Sequence, residues 1–302
     1  MKKRLTRKQR KLIFVWGMLA LPLLQWLIFF VYVNINSILM AFQSLNLDTG
    51  KVTWTLNNFK RFFYEWRELD ELKGAVKNSI FAGVNDVLLI LVSLLLSYFL
   101  YKKIPGRNLF RVIYFLPSVI SIVIYTMVFK FMFDTSVGPV NILLEKIGVE
   151  NLPGWFGDTN LAFPLILLYC LWVGTGYNIL IFSAAMEGLP EDVLEYSRLE
   201  GVGRMRELFQ IIVPMIWPTL AVAFLGSVKV IFTLFIQVEL LTEGGPAGST
   251  TTIAYLINSI IKGTNNNLEW GATMGLCFTI LATPIIIFLK KFLDKTGERF
   301  GC

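Results

Sequence analysis

From Leu12 to Leu47 the chain carries no charged side chain at all. A soluble fold has little use for such a run. A helix crossing the hydrocarbon core of a bilayer needs roughly 20 mostly apolar residues. The first span is therefore expected over about 12–34, with an outward extension after it. Five more blocks follow the same rule. Span two covers about 79–101, interrupted only by Asp86, and span three about 110–133, with Arg111 and Lys130 near its ends. Span four covers about 161–186, span five about 214–238 with Lys229 inside it, and span six about 270–289 between Glu269 and Lys290. Backbone facing lipid must satisfy its own hydrogen bonds, so each block is expected to be a helix. Hydrophobic residues make up 55% of the 302 residues and charged ones only 16%, well under the quarter or so usual in soluble domains.

Loop charges set the orientation. The N-terminus holds Lys2, Lys3, Arg4, Arg7, Lys8, Arg10 and Lys11. The second loop holds Lys102, Lys103, Arg107 and Arg111 with no acid, and the fourth holds Arg198, Arg204 and Arg206. The C-terminus holds Lys290, Lys291, Lys295 and Arg299, whereas loops three and five carry one basic residue each, Lys146 and Lys262. The long first loop is mixed and weighs less. Positive residues stay inside, so both termini are expected in the cytoplasm. The reading is an all-α polytopic membrane protein with six transmembrane helices. The N-terminal block is too long for a signal peptide, and no small-x-small cleavage site follows it, so it reads as an uncleaved helix.

Composition also narrows the chemistry. There is no histidine, which excludes a His-dependent triad and a zincin site. Cys170, Cys277 and Cys302 are scattered and offer no zinc-ligand spacing; Cys170 and Cys277 read as small hydrophobes. The formal charge of +7 sits at the ends of apolar blocks, so it speaks of membrane topology and lipid rather than nucleic acid. An intramembrane enzyme would need paired acids or a nucleophile with a base, and Asp86 is the one clear acid at membrane depth. No GxxxxGK[ST] is present, and Gly244-Gly-Pro-Ala-Gly-Ser-Thr250 lacks the lysine, so this chain has no phosphate cradle of that type.

The loop between spans four and five is the most informative stretch. It reads Gly188-Leu-Pro-Glu-Asp-Val-Leu-Glu-Tyr-Ser-Arg-Leu-Glu-Gly-Val-Gly203. Pro190 suits a helix start, and Glu191 and Asp192 suit the positive end of its dipole. Val193, Tyr196 and Leu199 form one apolar stripe, and Gly201 and Gly203 end the helix. A second amphipathic segment is expected to place Met205, Leu208, Phe209 and Ile212 on one face before Pro214. An ordinary amphipathic loop resting on the membrane surface satisfies the same pattern.

Glu195-Tyr-Ser-x-x-x-Gly201, then nine residues, then Ile211-x-Val213-Pro214 resembles the EAA loop of ABC importer permeases. Glu195, Gly201, Ile211 and Pro214 match in type and spacing, while Tyr196, Ser197 and Val213 depart from the pattern. Trp172-Val-Gly-Thr-Gly-Tyr-Asn-Ile-Leu-Ile-Phe182 and Thr242-Glu-Gly-Gly-Pro-Ala-Gly-Ser-Thr250 resemble the maltose-type sugar branch, and the likeness covers roughly 75–290. The resemblance implies a coupling helix in the 188–213 loop that meets an ATP-hydrolysing subunit through Glu191, Glu195, Arg198, Gly201, Gly203 and Pro214. It implies two such ATPase subunits, which hold ATP and Mg, with no cofactor on this chain. A second homologous permease subunit and an extracytoplasmic solute-binding protein complete the expected assembly, in the bacterial cytoplasmic membrane. A basic N-terminus (1–11), a first span with its loop (12–74), a permease core (75–290) and a tail (291–302) follow as the expected division. An importer for a non-sugar solute is the alternative; a passive channel or scaffold would not need the EAA loop.

Charges at membrane depth are costly, about 2.5–3.5 kcal/mol on insertion scales. Asp86 and Lys229 lie at similar heights, roughly 23 Å from the inner ends of their spans. They are expected to meet or to share a polar cavity; separate snorkelling or hydration is the competing outcome. Trp172, Tyr177, Asn178 and Gln237 are residue types that hold sugars, and Lys229 could face an acidic one. Interfacial anchoring and helix packing account for the same residues.

Overall fold

The computed structural model describes residues 6–45, 51–263 and 267–301, so Lys2, Lys3, Arg4 and Cys302 lie outside the described residues. In chain order the elements are α1 (Arg7–Trp26), a π-helical segment (Leu27–Tyr32), α2 (Val33–Ala41), β1 (Gln43–Leu45), β2 (Val52–Trp54) and α3 (Asn57–Glu68). Then come α4 (Asp70–Tyr101), α5 (Arg107–Val119), α6 (Ile122–Met132), α7 (Pro139–Lys146) and α8 (Ala162–Glu187). The remainder is α9 (Glu191–Leu199), α10 (Arg204–Glu207), a second π segment (Leu208–Ile212), α11 (Val213–Met215), α12 (Trp217–Thr233), α13 (Ile236–Leu241), α14 (Ile253–Lys262) and α15 (Leu268–Phe300). Helix dominates, but not wholly: β1 and β2 pair antiparallel with Gln43 opposite Trp54, a small hairpin inside the first loop. Four helical stretches are long and apolar enough to cross a membrane, Arg7–Ala41, α4, α8 and α15, and two bent pairs bring the number to as many as 6.

The chain forms two compact units, Met1–Arg67 with Ile260–Thr279, and Glu68–Ser259 with Ile280–Cys302. In the first, Thr6 and Gln9 make a capping box, each side chain accepting from the other's backbone N–H. The apolar side chains that follow, such as Phe29 at 70% exposure, are bare, as suits a surface solvated by acyl chains rather than water. Within this unit Phe62 of α3 meets Phe278 edge-on with centroids 5.5 Å apart, the Arg61 guanidinium lies 4.4 Å over the Trp270 ring, and Thr273 Oγ1 donates to the Ala41 carbonyl.

The second unit is built on α4 against α8. Asn85 donates to the Leu167 carbonyl (3.1 Å), Ser93 to that of Thr175 (3.4 Å) and Ser97 to that of Ile179 (3.3 Å). Each pair is 82 residues apart, so the helices run parallel, as spans two and four must if the chain alternates sides. Small residues let them approach. A Cβ on Gly174 would strike the Leu89 side chain, and one on Gly176 would fall on the Tyr114 carbonyl of α5. The Gly174-Thr-Gly176 run of the sequence is thus a packing device.

Two expected spans are not single helices. Over 110–133, α5 and α6 meet at 108°. Pro117 removes one ladder N–H, and Ile120 leaves the helix in an extended conformation (φ −76°, ψ 143°). Over 214–238, Arg204–Met215 and Trp217–Thr233 meet at 83°. Pro214 and Pro218 flank the bend at Ile216, where a missing N–H is tolerated because each begins a helix. The helix then stops at Thr233, Leu234 is extended, and α13 resumes the path. The following Gly-Gly-Pro loop is anchored rather than loose. Asn78 donates to the carbonyls of Ser249 (2.8 Å) and Thr251 (2.9 Å), and Ser79 Oγ accepts from the Ile253 N–H.

Candidate coupling loop and membrane cavity

Helix α9 begins straight after Pro190 with Glu191 and Asp192 in its first turn, as expected. Its facing differs from expectation. Leu194 and Ser197 are buried, and Leu194 joins a core with Tyr98, Met186 and Leu208. The stripe read from the sequence points outward instead: Tyr196 is 70% exposed and Leu199 83%. A short helix carries apolar residues on both sides here, and the single Leu194 is the one that fits the core. Gly201 takes φ +73°, and the Val202 N–H donates to the Ser197 carbonyl at 3.0 Å, the 6→1 bond of a Schellman ending. Gly203 does something else. It is extended (φ −68°, ψ 152°) and caps the start of α10.

Glu191 and Glu195 line a cavity of about 530 Å³ together with Lys102 and Lys103, just after α4, and Arg107, at the start of α5. Glu187 lines it too and pairs with Arg111 at 3.1 Å. Arg198 lies in α9, with its side chain outside the described residues. In the second segment only Leu208 and Ile212 are buried; Met205 (49%) and Phe209 (55%) are exposed. The π segment replaces the 3.6 period there, so the four residues do not share a face. Pro214 leads into the 83° bend.

Sequence reasoning missed Glu207. It is 3% exposed, with Lys102 Nζ 2.5 Å from Oε1 and the Tyr98 hydroxyl 3.1 Å from Oε2. The same hydroxyl lies 2.9 Å from the Arg204 carbonyl, so its single proton goes to one acceptor or the other. An acid among arginines looks like part of a solvated face; only Lys102, 105 positions earlier, reveals its partner.

A second cavity of about 200 Å³ lies within the helical body, lined among others by Asn85, Asp86, Tyr169, Cys170 and Gln237. Ser227 donates to Asp86 at 2.9 Å. The expected approach of Lys229 does not occur: Lys229 is exposed, and among the described residues no ion pair joins it to Asp86. The helix explains why. Two positions on from Ser227 is a turn of about 200°, so Lys229 faces away. Gln237 reaches the cavity, but the other candidates do not. Trp172 packs at a tilt against Tyr125 (ring centroids 5.1 Å apart) and Phe129 (6.0 Å), Tyr177 is 60% exposed, and Asn178 is half-buried outside the lining. Cys277 is buried, in keeping with its reading as a small hydrophobe.

Fold and site together define a polytopic helical membrane protein that presents a short, glycine-terminated helix from the loop before its bent fifth apolar block. Residues 89–296 match the family model described as binding-protein-dependent transport system inner membrane component, and the chain belongs to that family. It is therefore a permease subunit of a binding-protein-dependent ABC importer, a multi-pass inner-membrane protein and not an enzyme. The "Probable ABC transporter permease protein YurN" of Bacillus subtilis is 27% identical over 92% of this chain and 94% of its own length. The lactose transport system permease protein LacF of Rhizobium radiobacter is 31% identical over 73% of this chain and 75% of its length. The maltose/maltodextrin permease MalF of Salmonella typhimurium is 28% identical over 71% of this chain, which spans only 44% of that longer protein. A crystal structure of a bacterial alginate ABC transporter, in complex with an alginate pentasaccharide-bound periplasmic protein, contains a chain of the same fold. Its TM-score is 0.83 at 20% identity, over 96% of this chain and 97% of that one.

Proposed function

We propose that the chain crosses the inner membrane six times with both termini in the cytoplasm, and that its solute is a sugar. The 188–213 loop is then cytoplasmic and serves as the coupling element, with residues 75–290 as the permease core. The observation that carries this reading is α9: its inner face is fixed by Leu194, while Tyr196 and Leu199 stand 70% and 83% exposed, and Glu191 and Glu195 of the same helix line the charged cavity. An apolar face that stands exposed among the described residues, on a helix anchored by Leu194, suits a cleft on another protein. That partner is one of two ATPase subunits that hold ATP and Mg, so this chain needs no cofactor of its own. Glu191, Glu195 and Arg198 supply the polar rim of the contact, Gly201 and Gly203 set the two turns, and Pro214 starts the bent span.

A second, homologous permease subunit completes the pathway, and an extracytoplasmic binding protein delivers the solute. The sugar assignment is supported by the names of the maltose and lactose relatives and by the lining of the inner cavity. Asp86, Asn85, Tyr169 and Gln237 offer acceptors, donors and an aromatic wall suited to a hydroxyl-rich solute. Trp172 supports that wall through Tyr125. Tyr177, Asn178 and Lys229, outside the cavity, are left for contacts with the second permease subunit or with lipid headgroups. The test is co-purification. An ATPase subunit should come down with the tagged chain and be lost on Gly201→Asp; equal recovery with both would refute the coupling role. A glycan panel against the cognate binding protein tests the sugar.

A further inference from the structure

We infer that Glu207 is a positioning residue that ties the coupling loop to α4, so that displacement of α9 reaches the wall of the membrane cavity. The inference rests on the coupling role proposed for the 188–213 loop. Glu207 stands at the last turn of α10, where the chain enters the π segment and then the 83° bend. Its carboxylate is buried beside one helix end: Lys102 Nζ lies on Oε1, and the Tyr98 hydroxyl stands 3.1 Å from Oε2, its proton shared between that oxygen and the Arg204 carbonyl. Lys102 Nζ also lies 5.6 Å from the centre of the Tyr98 ring.

A buried acid is costly unless fully partnered, so the three groups hold together more firmly than a surface pair would. Apolar packing reinforces the joint, because Leu194, Leu208 and Ile212 share one core with Tyr98. Tyr98 lies twelve positions along α4 from Asp86, roughly 18 Å at 1.5 Å per residue. Helix α4 is unbroken between them. A push on α9 is thus delivered to the same rigid rod that carries Asn85 and Asp86 into the inner cavity. Without the carboxylate, the loop keeps its core contacts but loses its only charged tie to α4 among the described residues.

The test uses the whole complex purified through a tag on this chain, with nitroxide labels at Val84→Cys and Ile124→Cys, both on exposed faces of α4 and α6. The native cysteines are replaced by serine. The inter-label distance is read without nucleotide and after trapping with Mg-ATP and orthovanadate, and phosphate release is measured in parallel. In the otherwise unaltered complex the trap should shift the distance. Glu207→Ala should reduce the shifted population by about fivefold while ATP hydrolysis persists. The exchange Lys102→Glu with Glu207→Lys should bring it back, which a mere loss of stability would not allow. If the alanine variant fails to retain the ATPase, Glu207→Gln, which keeps the shape, gives the same reading. A full shift in these variants, or no recovery in the exchange, overturns the inference alone. No shift in the unaltered complex overturns the coupling role beneath it.

Discussion

Ser227 Oγ lies 2.9 Å from Asp86 Oδ2, and this hydrogen bond, rather than an ion pair with Lys229, holds the half-buried acid in place. The charges of Asp86 and Lys229 are therefore separable. Lys229→Ala should change stability by less than about 0.5 kcal/mol, as expected of an exposed position. Ser227→Ala should cost about 1–3 kcal/mol, because it strands an acceptor in a partly buried site. Thermal unfolding of the detergent-solubilised protein measures both, and solute uptake should fall with Asp86→Ala but persist with Lys229→Ala.

Gly174 and Gly176 predict a contrast of their own. The extra methyl of Gly174→Ala meets only the flexible end of Leu89, whereas that of Gly176→Ala meets the main chain of Tyr114. A side chain can move aside and a helix backbone cannot. Gly174→Ala should cost roughly 1 kcal/mol, and Gly176→Ala 3 kcal/mol or more, near the top of the usual range for overpacking. The melting temperatures of the two variants decide the matter.

The turn glycines of the loop differ in kind. Gly201 has φ +73°, and an L side chain there costs about 1–2 kcal/mol. Gly203 has an ordinary φ of −68° and open space around it. Gly201→Ala should lower both stability and ATPase recovery, and Gly203→Ala should leave both nearly unchanged. Parallel pull-downs of the two variants distinguish them.

The sequence made the apolar blocks legible because a lipid-facing helix must be long and uncharged; α8 follows its block closely, while α4 starts before its block, at Asp70, and α15 runs on past its block to Phe300. Gly201 was legible because the turn it makes needs a positive φ. The bends were not. Pro117 and Pro214 signal weakened ladders, but whether a proline kinks a helix or merely begins one depends on the packing around it, such as α5 pressing on Gly176. The facing of α9 was missed for a similar reason: Leu194 and the Tyr196–Leu199 side are both apolar, and only the core selects between them. Glu207 was hidden because its partners lie across the fold, at Tyr98 and Lys102.

For the coupling role, α9 must face the compartment where ATP is hydrolysed. Leu199→Cys, 83% exposed, is the position to probe, in a background with the native cysteines replaced. A membrane-impermeant maleimide should label it in inverted vesicles and leave it untouched in intact spheroplasts. Labelling from the outside of spheroplasts would place α9 beyond reach of any ATPase and contradict the account.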